Sequence, residues 1–70
     1  MIIEIGIVAG EIWQLLDKHG ALRISEINST LKQPEYLILM SLGWLGREGH
    51  IVVDWKEGEP HKDYKVTLRK

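Results

Sequence analysis

The hydrophobic spacing of this chain changes once, at Gly49, and that change limits the folds open to it. Before Gly49 the apolar residues recur mainly at steps of three and four, the mark of helix. After it they recur at every second position. Ile51, Val53 and Trp55 alternate with Val52, Asp54 and Lys56, and Tyr64, Val66 and Leu68 alternate with Lys65, Thr67 and Arg69. Between the two runs lies Glu57-Gly58-Glu59-Pro60-His61-Lys62, a polar stretch with glycine and proline that reads as a loop. The chain is therefore expected to be helical first and to close on an antiparallel hairpin.

The helical part divides into three. A first helix is expected over residues 4–19, where Ile5, Val8, Ile12, Leu15 and Leu16 form one apolar face. Ile7, Ala9 and Trp13 widen that face until the helix calls for cover on two sides. Lys18 and His19 suit the negative end of its dipole, and Gly20 suits the left-handed residue that follows. Residues 21–24 read as a short extended rung of a sheet. Ser25 is the expected N-cap of a brief second helix, residues 26–31, which buries Ile27 and Leu31. Lys32 and Gln33 turn the chain. Pro34 opens a third helix over residues 34–48, with Glu35 near its positive end.

Seventy residues make a single domain, spanning residues 1–70, with a small core. The order helix, short strand, helix, helix, strand, loop, strand predicts an α+β fold of the winged helix-turn-helix type. Its three helices precede a C-terminal β-hairpin wing, and the short gap before the third helix favours a helix-turn-helix. The segments "GEIWQLLDKHG", "LMSLGWLGREGHI" and "DYKVTL" resemble the small stand-alone winged helix-turn-helix proteins of uncharacterised prokaryotic families. The resemblance covers nearly the whole chain. It implies the fold, a cytoplasmic setting and a suspicion of DNA binding, and it supplies no established site residues.

On the third helix, steps of about 100° put Ile38, Leu42 and Leu45 on one side, with Ser41 at its margin. Leu37, Met40 and Trp44 gather on another side, flanked by Tyr36, Gly43 and Arg47. In a winged helix that second side is the one offered to the major groove. Groove readout uses Arg, Lys, Asn and Gln, whereas this side is apolar and aromatic, like the centre of a protein interface. Three readings are open: burial within the subunit beneath the hairpin or the N-terminal residues, association with another chain, or contact with DNA. Gly43 and Gly46 each cost about 1 kcal/mol relative to alanine within a helix. Either close approach by another chain or relief of crowding beside Trp44 accounts for them.

The leading expectation is a noncatalytic interaction module, a homodimer or a binder of another protein. Tyr36, Leu37, Met40, Gly43 and Trp44 form its surface, assisted by Ile7 or Trp13. The alternative is a DNA-binding transcriptional regulator contacting duplex DNA through Gln33, Tyr36, Arg47 and Lys62. The chain carries 9 Lys and Arg against 10 acids, a formal charge of −1, so there is no general excess of positive charge for phosphate. Lys65, Arg69 and Lys70, with Arg23, Lys32 and Arg47, form at most a weak basic strip, and they read mainly as solubilising charges.

No cofactor, metal or membrane partner is expected. The chain has no cysteine, which excludes disulfides and thiolate ligands and accords with the cytoplasm. His19, His50 and His61 have no metal-site spacing. The apolar N-terminal stretch lacks a basic leader, is interrupted by Glu4 and is too short to cross a bilayer. Ser25 and Ser41 have no His–acid arrangement near them in sequence, so catalysis is not expected.

Overall fold

The computed structural model describes residues 1–54 and 64–69. Their order is α1 (Ile2–His19), β1 (Ala21–Arg23), α2 (Ile24–Leu31), α3 (Glu35–Arg47), β2 (Ile51–Asp54) and β3 (Lys65–Leu68). The three strands form one antiparallel sheet in the order β1-β3-β2. β3 is central, pairing Leu22 with Val66 on one side and Val53 with Val66 on the other. The expected rung and hairpin are therefore both present, and they belong to the same sheet. Trp55 and the loop between the hairpin strands lie outside the described residues.

The element ends follow from local chemistry. α1 begins two residues earlier than its spacing suggested, because Ile5 N–H already donates to the Met1 carbonyl (3.0 Å). It ends where Gly20 takes φ 85° and donates its N–H to the Leu16 carbonyl (2.7 Å). Gly49, with φ 77°, has the same conformational role after α3.

The N-cap of α2 is a correction. Ser25, expected to cap, lies inside the helix, and Arg23 occupies the cap position. Arginine has no acceptor to offer a free N–H. The helix is closed instead by the return half of a capping box, in which Glu26 Oε1 accepts from Arg23 N–H (2.9 Å). A carboxylate three residues after the cap thus outweighed the hydroxyl beside it. Pro34 is likewise the N-cap of α3 rather than its first residue, with an extended ψ of 138°. Its carbonyl receives the N–H groups of Leu37 and Ile38.

The core lies where α1 and α3 meet the sheet. Ile12, Leu16, Ile27, Ile38 and Val66 are wholly buried, joined by Val8, Ala9, Leu42, Leu45 and Ile51. Leu31 is only half-buried, against its core expectation. β2 departs from strict alternation: Ile51 is buried, but Val52 and Val53 are both exposed. As an edge strand β2 has one neighbour, so burial depends on how far the helices reach over it, and they cover only its first residue.

Candidate functional site

α3 fixes the geometry of the candidate site. Two side-chain contacts show how it runs along α1. Ser41 Oγ lies 3.2 Å from the Ile5 carbonyl, and Gln33 Nε2, just ahead of α3, lies 3.4 Å from Glu11 Oε1. α3 therefore advances along α1 from Glu11 towards Ile5, in the direction opposite to α1. The side turned to α1 and the sheet carries Leu37, Ile38, Ser41, Leu42 and Leu45, all buried.

The opposite side is open. Tyr36 is 56% exposed, Met40 46% and Trp44 52%. Among the described residues, nothing from the hairpin or the N-terminus buries Met40 or Trp44. Leu39, which the sequence reading passed over, is also exposed and adds to this surface. Its signal was available, since it lies at most roughly 60° from Gly43 and Tyr36 at 100° per residue.

Leu37 is a correction. It was expected with Met40 and Trp44 on the outward side, yet it is 7% exposed and belongs to the core. On a helical projection it lies roughly 20° from Trp44 and 40° from Ser41, on the border between the two sides. Leu37 lies between Gln33, beside Glu11, and Ser41, beside Ile5, so α1 covers it, whereas Trp44 is 52% exposed.

Gly43 and Gly46 meet open space. A Cβ built on either finds no atom within 4 Å outside its own helical turn. Atoms beyond the neighbouring residues therefore give no reason for glycine at either position.

The residues expected for DNA contact are scattered. Arg47 is exposed in the last turn of α3, and Tyr36 in the first. Gln33 is half-buried and donates to Glu11, so its amide already has a partner within the chain. Lys62 and Lys70 lie outside the described residues. Arg23, Lys32, Lys65 and Arg69 are exposed on α2, its connections and the sheet.

α1 has an outward side of the same character. Ile2 is 83% exposed, and Ile3, Ile7 and Trp13 are also exposed. Glu4 pairs with the Met1 amino group at 2.8 Å, and that hydrogen bond and positive charge hold its carboxyl below the usual glutamate range. Among the described residues no three His, Asp or Glu side chains come together as a metal site, and no helix is long and apolar enough to cross a membrane.

A family model described as a winged helix-turn-helix domain (DUF2582) matches residues 2–63. No curated protein and no solved structure matches the chain significantly.

Proposed function

The chain belongs to the winged helix-turn-helix family DUF2582, and from that premise we propose that it is a noncatalytic interaction module, homodimeric through the outward side of α3. The observation that carries this reading is the exposure of Trp44 and Met40 at the position where a reading helix would present its polar groups. Tyr36, Leu39 and the open backbone at Gly43 complete the surface. Aromatic residues and methionine are enriched at interface centres, and a contiguous apolar patch on a small soluble protein calls for cover. A two-fold pairing of identical patches is the commonest way to supply it. A cytoplasmic setting accords with the lack of cysteine.

Light scattering of the full chain from micromolar to millimolar concentration tests this. The expected result is a dimer that Trp44→Glu converts to a folded monomer, because Trp44 contributes little to the core. A wild type that stays monomeric throughout the range would falsify the reading.

A second reading, a DNA-binding transcriptional regulator, is supported by the helix-turn-helix arrangement of α2 and α3 and by exposed Arg47 and Tyr36. It predicts duplex binding that falls steeply with salt as counterions are released. An amide-resolved titration with duplex DNA at low salt decides it, and unchanged α3 resonances rule it out.

A further inference from the structure

We propose that the outer face of the sheet binds the phosphate backbone of duplex DNA through Arg23, Lys65 and Arg69. This is independent of association through α3. It also moves the main contact of the DNA-binding reading from α3 to the strands.

The register of the strands places these residues together. Val66 and Ile51 are buried and Leu22 is half-buried, so the face that carries them is turned to the helices. Alternate residues along each strand stand on the other face, and directly opposed residues share a face. Arg23, Lys65 and Asp54 therefore form one row across the outer face, and Ala21, Thr67 and Val52 form the next. Arg69 N–H donates to the His50 carbonyl (2.9 Å), which carries the same ladder one step further and makes His50 and Arg69 a third row. Arg23, Lys65 and Arg69 are all exposed. They come from distant parts of the chain, so no run of basic residues announces them.

The face is positive although the chain is not. Arg23, Lys65 and Arg69 stand there, whereas Lys18, Lys32 and Arg47 are the other Lys and Arg among the described residues. Of the described acids, Asp54 alone stands on the strands, and Glu26 at the rim accepts from Arg23 N–H. Neither Lys65 nor Arg69 makes an ion pair with another described residue. Lys65 lies directly across from Arg23, and like charges so placed weaken a sheet. An open recess of about 270 Å³ lined by Ala21, Leu22, Arg23, Glu26 and Lys65 admits an oxyanion that draws on both charges.

The remaining side chains select the occupant. Tyr64, one residue before Lys65, belongs to the inner face, so the outer face has no tyrosine or tryptophan among its described residues on which unstacked bases could lie. Val52 is its one exposed large apolar side chain, too little to anchor a lipid surface or the centre of a protein interface. What remains is charge spread along a strand. Lys65 and Arg69 are about 13 Å apart at the rise of a strand. Duplex DNA carries one charge per roughly 1.7 Å of its axis, so both reach phosphates of one duplex, and each phosphate neutralised releases counterions.

Fluorescence anisotropy of a short random-sequence duplex at rising salt tests this with four full-length chains: wild type, Lys65→Gln/Arg69→Gln, Lys18→Gln and Arg47→Gln. The substituted side chains are exposed, so helical circular dichroism should be unchanged. Wild type should bind at low salt, its affinity falling by about three powers of ten per tenfold rise in salt. The Lys65→Gln/Arg69→Gln chain should bind at least roughly tenfold more weakly, with that slope reduced by about two. Lys18→Gln should bind as wild type does. Amide shifts on adding duplex should fall on residues 21–23 and 65–69. A wild type that does not bind at low salt overturns the proposal. A loss with Lys18→Gln equal to that of the pair means attraction by net charge alone and overturns it. Binding that Arg47→Gln weakens and the pair leaves intact returns DNA to α3 and overturns the sheet contact. A wild type that binds phosphatidylserine vesicles and not the duplex assigns the face to lipid headgroups and overturns it too.

Discussion

The hydroxyl of Ser41 lies 3.2 Å from the carbonyl oxygen of Ile5 and 2.7 Å from that of Leu37, and joins α3 to α1 inside an otherwise apolar contact. Ser41 is wholly buried and is the one buried polar residue among those described. One hydroxyl proton is shared between two carbonyls that already serve helical hydrogen bonds. Replacing Ser41 by alanine removes the donor and strands no buried N–H. Ser41→Ala should therefore lower stability by only about 1 kcal/mol, read from urea unfolding. Ser41→Val, which forces an extra methyl between the helices and lacks the donor, should cost about 1–3 kcal/mol. A valine variant as stable as wild type would show that the α1–α3 contact is looser than its burial indicates.

Leu37 and Trp44 are neighbours on the helical projection with opposite fates, and alanine substitution separates them. Leu37→Ala empties core volume and should cost about 2–4 kcal/mol, a large share of the stability of so small a protein. Trp44→Ala removes a half-exposed ring and should change the stability of the isolated subunit by less than about 1 kcal/mol. Both are measured by denaturant unfolding at low protein concentration, where association does not contribute. Equal costs would place Trp44 in the core and remove the surface on which the proposed function depends.

Lys32 holds φ 54° at the C-terminal end of α2, a conformation that costs a side chain with a Cβ roughly 1 kcal/mol. The backbone accepts it because Lys32 N–H donates to the Asn28 carbonyl (3.2 Å) and the chain must turn at once towards α3. The other two positive-φ positions among the described residues, Gly20 and Gly49, are glycine. Lys32→Gly should therefore raise the melting temperature by a few degrees. A lower melting temperature would mean that flexibility gained by the unfolded chain outweighs the strain relieved.

The fold was legible in the sequence because its signals are periodic and local. Apolar steps of three and four gave the helices, alternation gave the hairpin, and Gly20 and Gly49 gave two of the stops. What was misplaced depended on choices between adjacent residues. Ser25 and Glu26 both carry groups that can close a helix start, and only the realised backbone shows that Glu26 reaches Arg23 N–H. Leu37 lies on the border between two sides of α3, so a projection cannot assign it, and only the packed structure shows it buried. The outward apolar surface of α3 was legible apart from Leu39, which was overlooked. The reason for the glycines was not, since spacing alone cannot distinguish crowding from open space.

Gly43 and Gly46 yield the prediction that most directly joins stability to association. Each lies inside α3, and a Cβ on either meets nothing within 4 Å outside its own turn. In an isolated subunit, alanine at both positions should stabilise the helix by about 1 kcal/mol per site, before any loss elsewhere. If a second copy lies against α3, the same two methyl groups stand in its way and association should weaken. The Gly43→Ala/Gly46→Ala variant should therefore melt higher than wild type at low micromolar concentration. At high concentration, where dimerisation stabilises the wild type by mass action, its advantage should shrink or reverse. An advantage that is constant with concentration would show that nothing approaches this part of α3, and the association surface would then reduce to Tyr36, Met40 and Trp44.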